Sequence, residues 1–213
     1  MNTLHSICGL NNQAVELLIS GQTSKASKTF QNAAQLLSHA VANGEHPHYK
    51  YAPEMHFGQS HSINPNLQAS TFFVYDHAII MMEPATPALT NGMLCYYSSV
   101  VLFNWALTLH REGMLGRETY LKKAASVYVR CFQVLAAIKS SEQTSSFLTL
   151  LVLNNLAQIH FELCEYSECS HCLKQVRSLL AVAGYMDCCV LTSKDSDELF
   201  LNTMLSPTAA QAA

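Results

Sequence analysis

Charged side chains are scarce in this sequence: Asp, Glu, Lys and Arg make up 13% of its 213 residues, about half the share usual in soluble domains. The 12 Lys and Arg residues form no cluster, so we expect no nucleic-acid partner. Apolar residues make up 49% and the net charge is −3. This composition favours helix-on-helix burial, or a surface that a partner covers.

Long apolar runs are also missing. The longest unbroken apolar runs are only a handful of residues, as at Leu150–Leu153. This is far below the roughly 20 residues that span a bilayer, so we expect no membrane partner. The N-terminal stretch "MNTLHSICGLNNQ" lacks the basic start and apolar core of a secretory signal. We therefore predict a cytoplasmic, or else nuclear, protein whose eight cysteines are free thiols.

Catalytic signatures are absent as well. The sequence contains no Gly-x-Ser-x-Gly, no Gly-x-x-x-x-Gly-Lys-Ser/Thr and no His-Glu-x-x-His, the motifs of serine hydrolases, nucleotide-binding loops and zinc proteases. We therefore expect no enzyme activity and no cofactor. The length predicts a single domain over residues 1–213, with a core that needs no metal or disulfide.

Helical apolar spacing recurs in three segments, and each predicts a pair of antiparallel helices in an all-α fold. The pairs cover about residues 5–42, 94–140 and 145–182. An insertion, 43–93, separates the first two pairs: 43–70 reads as a long loop, and 71–82 as an extended strand rich in aromatic and β-branched residues. In the C-terminal segment 183–213, residues 199–205 are extended or helical. If extended, they could pair with 71–82 in a small two-stranded sheet.

The three pairs align with one another. Each first helix carries an Asn followed two residues later by Ala, and a helix end seven residues after that Ala. Each second helix has a small–large–small pattern spaced by 4 and 3 residues. The aligned sets are Asn12, Asn104 and Asn155; Ala14, Ala106 and Ala157; Gly21, Gly113 and Cys164; then Ala26/Phe30/Ala33, Ala124/Tyr128/Cys131 and Cys169/Leu173/Val176. In the second pair, six extra residues, about 114–119, are expected to lengthen the turn.

This pattern resembles the tetratricopeptide repeat (TPR), in a degenerate and non-tandem form that covers about half of the chain. Small residues allow two helices to cross closely, and the large residue fills the space toward the next pair. The Asn-x-Ala-x-x-x-His motif at 104–110, the 71–82 strand and the Ala-rich tail are also similar to short TPR-like proteins of unicellular algae. The resemblance implies three hairpins stacked as an αα-superhelix, with the first helices lining a concave face.

Three cysteines and two histidines lie within Asn155–Cys172. Cys169-x2-Cys172 has zinc-ligand spacing, but Cys169 and Cys131 fall in small packing slots, and Cys164 falls at a helix end. Free Cys behaves as a small apolar residue, so we favour packing over a metal or redox site here and at Cys188-Cys189. The loop histidines His46, His48, His56 and His61 could bind a metal or sense pH, but solvation is the simpler interpretation.

The function expected is non-catalytic protein–protein interaction, as a scaffold or adaptor that binds a peptide or a helix. Asn amides on the concave face can hold a peptide by its backbone, as the resemblance implies, although they could equally bond helix to helix. Arg111 alone cannot form the Lys/Arg carboxylate clamp of one TPR subfamily. The alternatives are a self-associating structural protein and, more weakly, a thiol or metal sensor or enzyme. The candidate peptide-binding residues are Asn12, Phe103, Asn104, Leu107, His110, Arg111, Asn154, Asn155, Gln158 and Phe161.

Overall fold

A computed structural model describes residues 3–42, 57–62, 72–82, 91–137, 143–183 and 193–204. These residues form a predominantly helical protein, as the periodicity predicts. The helices are α1 (Thr3–Ile19), α2 (Thr23–Ala42), α3 (Asn91–Met114), α4 (Glu118–Ala137), α5 (Gln143–Glu162), α6 (Tyr166–Ala183) and α7 (Ser193–Met204), and the strands are β1 (Phe57–Ser62) and β2 (His77–Met81).

The chain divides into two compact units. Unit 1 comprises Met1–Ile63 and His77–Ser141, and unit 2 comprises Asn64–Asp76 and Glu142–Ala213. In unit 1, α1 packs on α2, α3 packs on α4, and α2 contacts α3; in unit 2, α5 packs on α6 and α6 contacts α7. The single domain over residues 1–213 stays a prediction.

The aligned small and large residues lie inside the hairpins. On α2 the buried positions are Ala26, Phe30, Ala33, Leu37 and Ala40; their alternating spacing of four and three residues marks one face of an amphipathic helix. The aligned residues of α4 and α6 are also at most 4% exposed; they are Ala124, Tyr128, Cys131, Cys169, Leu173 and Val176. The first helices differ: Leu150–Ile159 of α5 is buried throughout, because this helix is covered on every side.

The hairpin turns correct one alignment. Each of the three turns has three residues, and its middle residue has a positive φ: Gly21 (76°), Gly116 (84°) and Cys164 (58°). The helix end that matches Gly21 is therefore Gly116 rather than Gly113. The six extra residues do not lengthen the turn, because three extend the end of α3 and three extend the start of α4.

Gly113 lies inside α3, where α4 comes unusually close. A Cβ atom at this position would lie 2.5 Å from the Leu121 side chain and 2.8 Å from its backbone nitrogen. Real Cβ atoms do not approach other heavy atoms so closely. Glycine at 113 is therefore required by the helix crossing and not by the turn.

The expected pairing of 71–82 with 199–205 is wrong. β2 pairs antiparallel with β1, from Phe57↔Met81 to Ser62↔His77 with an irregularity between Phe57 and Ser60, so the long loop contains a strand. Residues 199–204 belong to α7, where Asp195, Leu199 and Asn202 are buried. Their spacing of four and three is helical, so of the two alternatives left open for residues 199–205, extended or helical, the structure has the helical one.

One helix among the described residues, α3, is long and apolar enough over Gly92–Met114 to cross a membrane, by length and composition alone. Within its most apolar window, 78% is buried inside the protein. Core helices meet the same criterion, so this is weak evidence for a membrane span. The cytoplasmic location stays a prediction.

Candidate functional site: asparagine clamps on an internal segment

Two asparagines of unit 1 hold the backbone of β2. The Ile79 N–H donates to Asn104 Oδ1 (2.9 Å), and Asn104 Nδ2 donates to the Ile79 carbonyl (2.8 Å). Asn12 makes the same two contacts with Met81, both at 2.9 Å. In an extended chain the N–H and C=O of one residue face the same side, so a single side-chain amide satisfies both groups as a neighbouring strand would.

A third asparagine, Asn11, links the other two. Asn11 Nδ2 donates to Asn12 Oδ1 (3.1 Å) and to the Ile79 carbonyl (3.1 Å), and Asn11 Oδ1 accepts from Asn104 Nδ2 (3.0 Å). The bond between Asn104 and Asn11 joins α3 to α1, so these amides link two helices as well as holding β2. We call Asn11, Asn12 and Asn104 clamp 1.

Unit 2 repeats this arrangement on residues 72–76. The Tyr75 N–H donates to Asn155 Oδ1, and Asn155 Nδ2 donates to the Tyr75 carbonyl, both at 2.9 Å. Asn202 of α7 makes the same pair of contacts with Phe73, at 2.9 and 2.7 Å. The linking residue is Asn154, whose Nδ2 donates to Asn155 Oδ1 and the Phe73 carbonyl, and whose Oδ1 accepts from Asn202. We call Asn154, Asn155 and Asn202 clamp 2.

Several side chains of the held segment are buried as well. In unit 2 the Phe72 ring lies 6.0 Å from Phe161, and Tyr75 meets Phe147 edge-on at 6.2 Å. In unit 1, Ala78, Ile79 and Met81 are at most 4% exposed. Burying each large side chain contributes about 1.5–3 kcal/mol, so packing adds to the hydrogen bonds in holding the segment.

The predicted peptide-binding residues thus divide into groups. Asn12, Asn104, Asn154 and Asn155 hold backbone, and Phe161 contacts the ring of Phe72. Gln158 is buried and donates to Glu162 at 2.9 Å. Leu107 is buried and Arg111 is half-buried at the end of α3.

Phe103 and His110 do not face the clamp. Both rings lie about 6 Å from Tyr128 of α4, inside their own hairpin. Because both rings pack between α3 and α4, they are not available to the segment that Asn104 holds. Placing Phe103 and His110 on the groove is therefore corrected.

The sequence interpretation missed Asn11 and Asn202. The sequence contains one feature that could have indicated them: the dipeptide Asn-Asn occurs twice, at 11–12 and at 154–155. Each clamp is completed by one Asn of a later helix, Asn104 or Asn202. Asn202 lies in a segment for which the sequence predicts either an extended or a helical conformation, outside the three predicted helix pairs.

The cysteine-rich stretch does not gather around one point. Cys169 and Cys172 are buried, whereas Cys164 and His171 are exposed. Burial raises the pKa of Cys169 to about 11. Burial, with the nearby Cys169 and Glu168, raises that of Cys172 to about 12. These thiols therefore stay protonated at neutral pH in the metal-free chain, which lowers their reactivity as nucleophiles.

Metal ligands elsewhere do not converge either: within the part of the chain that the structure describes, no three His, Cys, Asp or Glu side chains are placed to hold an ion. His160 Nδ1 lies 2.6 Å from a Glu165 carboxylate oxygen. His46, His48, His56 and Cys188-Cys189 lie outside the described residues, as does the side chain of His61.

A groove of about 760 Å³ lies elsewhere in unit 1, among α2, α3 and α4. Trp105 and Leu102 contribute to its lining, and its polar side chains include His39 and Arg130. Among the described residues, no carboxylate or cysteine lines the groove, so these residues offer His39 no acidic partner for acid–base chemistry and no thiol nucleophile.

No protein-family model matches the chain, and no curated protein or solved structure matches it either.

Proposed function

We propose that this protein is a non-catalytic interaction module of TPR-like hairpins, stacked as an αα-superhelix, that binds an extended segment of a partner protein through asparagine amides on its first helices. The observation that carries the proposal is the repeated bidentate hydrogen bonding of Asn12, Asn104, Asn155 and Asn202 to an extended backbone. Such contacts read the polypeptide backbone itself, which is the chemistry of peptide capture.

The charge distribution argues against a ligand recognised through a terminal carboxylate or a phosphate group. Neither α1 nor α5 contains a Lys or Arg, and each has one glutamate, Glu16 or Glu162. A terminal carboxylate or a phosphorylated segment is recognised by clustered cations, which these inner helices do not provide.

The second candidate is a self-associating structural protein. Phe200, Leu201 and Met204 of α7 are about half exposed, and exposed apolar side chains on one short helix favour an oligomer contact. In this case the clamps only fix the chain's own segment, and their amides bind no partner.

Affinity capture with two matched baits tests the proposal: the wild-type chain and Asn155→Ala, both checked for helicity by circular dichroism. We expect the wild type to enrich proteins whose binding maps, on peptide arrays, to an extended stretch, and the variant to lose about ten-fold in affinity from the lost hydrogen bonds. Equal capture by both folded baits would contradict the proposal. A concentration-dependent oligomer in light scattering, with no mapped peptide, would favour self-association.

A further inference from the structure

The segment held by the clamps belongs to the chain itself. Residues 72–76 lie in clamp 2 of unit 2, and residues 77–82 lie in clamp 1 of unit 1. Building on the proposed function, we infer that this segment is an internal pseudo-ligand: it occupies the backbone-binding amides, and its sequence defines the class of partner peptide that must compete with it.

Clamp 2 defines that class most sharply. Its amides bond to the N–H and C=O of residues 73 and 75, so proline is excluded at both positions because it has no N–H. The rings at 72 and 75 rest against Phe161 and Phe147. The expected pattern in a partner is therefore aromatic-x-x-aromatic in an extended chain.

Clamp 1 adds a smaller, aliphatic requirement. Ala78, Ile79 and Met81 are buried, and Asn104 and Asn12 bond to the backbone of residues 79 and 81. Tyr97 Oη also donates to the Met82 carbonyl at 3.1 Å. A competing peptide for this clamp needs a small residue followed by aliphatic ones, with free N–H groups at alternate positions.

The covalent link between the internal segment and the clamps determines how well a free peptide competes. A segment joined to its own binding site acts at an effective concentration on the order of millimolar. A free peptide of the same sequence therefore binds the wild-type chain weakly. Weakening the internal segment, without touching the clamp, raises the apparent affinity of the free peptide.

The probe is a fluorescent synthetic peptide of residues 71–82, "TFFVYDHAIIMM", followed by anisotropy. Phe72→Ala/Tyr75→Ala removes both rings from the internal segment and leaves Asn155 and Asn202 in place. We expect this variant to bind the probe at least ten-fold more tightly than the wild type does. Val74→Ala is the matched control, since none of the clamp 2 hydrogen bonds goes to residue 74, and it should bind the probe as the wild type does.

Two further reagents test specificity. A probe with proline at the positions of Phe73 and Tyr75 should not bind, and adding Asn155→Ala to the double variant should weaken binding of the normal probe about ten-fold. Equal binding of the proline probe would overturn the inference, because it would show apolar adhesion without backbone recognition. A folded double variant that binds the probe no more tightly than the wild type would overturn it as well.

If the double variant does not fold, Phe72→Ala alone replaces it, and hydrogen exchange of the wild type gives a second reading. At millimolar probe the amides of Phe73 and Tyr75 should lose protection while the core of α5 keeps it. Unchanged protection with the probe bound overturns the inference. The proposed function is contradicted by a different result: no partner peptide is found for the wild-type bait, and none is found for a variant with a weakened internal segment.

Discussion

Clamp 1 and clamp 2 share one hydrogen-bond pattern but differ in what surrounds it. In both, a pair of adjacent asparagines and one asparagine of a later helix hold alternate residues of a chain. Around clamp 1 the held chain is also a strand paired with β1, and its buried side chains are small or aliphatic. Around clamp 2 the held residues 72–76 belong to no strand, and aromatic rings fill the space.

The difference shows which part of the arrangement is general. The amides meet only the backbone, so they place no demand on the side chains, apart from excluding proline. The packing around each clamp is free to differ, and it sets which sequence fits best. Clamp 1 shares its segment with β1, whereas clamp 2 depends on its own amides and rings, so clamp 2 should be the more sensitive to single substitutions.

The largest effect is expected from Asn155→Ala. It removes the acceptor of the Tyr75 N–H and a donor to the Tyr75 carbonyl, and each unmade buried hydrogen bond costs about 1–3 kcal/mol. The free energy of unfolding in urea should fall by about 2–5 kcal/mol. Asn104→Ala should cost less, because Asn11 still donates to the Ile79 carbonyl.

Asn32 of α2 is exposed and supplies the matched control, since Asn32→Ala should change the free energy of unfolding by less than about 0.5 kcal/mol. A loss at Asn155 no greater than that of the control would show that the clamp contributes no stability. A greater loss at Asn104 than at Asn155 would reverse the comparison between the clamps.

A medium effect is expected at the helix crossings, where unit 1 uses smaller residues than unit 2. Gly113→Ala would drive a methyl group into Leu121 of α4 and should lower the free energy of unfolding by about 1–3 kcal/mol. A Cβ atom added at Gly9 of α1 would have no atom of another described element within 4 Å. Gly9→Ala should therefore raise stability by about 0.5–1 kcal/mol. Thermal melts of the two variants that shift in the same direction would contradict the close crossing.

The smallest effect on the fold is expected at Cys169, which fills in unit 2 the slot that alanine fills in unit 1. Cys169→Ala should change stability by less than about 1.5 kcal/mol, because the two side chains are similar in volume. Purified protein should contain no stoichiometric zinc. Elemental analysis that finds about one zinc per chain, lost in Cys169→Ala/Cys172→Ala, would contradict the packing interpretation.

The same cysteines have a predicted pH dependence. Because the pKa of Cys169 is raised to about 11, the folded state holds this proton more tightly than the unfolded chain does. The contribution to stability is complete below about pH 8.5, the ordinary thiol pKa, and is lost as the pH rises toward 11. Alkylation at pH 8 should therefore modify the exposed Cys164 rapidly and Cys169 slowly.

Much of the clamp could be predicted from the sequence, and its occupant could not. The alignment of Asn12, Asn104 and Asn155 indicated side chains able to hold a backbone, and the structure shows them doing so. The backbone that they hold lies 25 to 80 residues away along the chain. No local pattern connects residues at such separations, so the sequence offers residues 199–205 as a possible strand partner for 71–82 and gives no sign of the clamps.

The sequence by itself determined the hairpins. Alternating spacing of four and three residues places Ala26, Phe30 and Ala33 on one face of a helix, and small side chains on that face permit a close crossing wherever the partner helix comes from. The tertiary structure alone decided that Gly113 meets Leu121, that Asn202 joins clamp 2, and that residues 72–82 fill both clamps. Periodicity fixes which face of an element is buried, but the element that covers this face is chosen by packing over the whole chain.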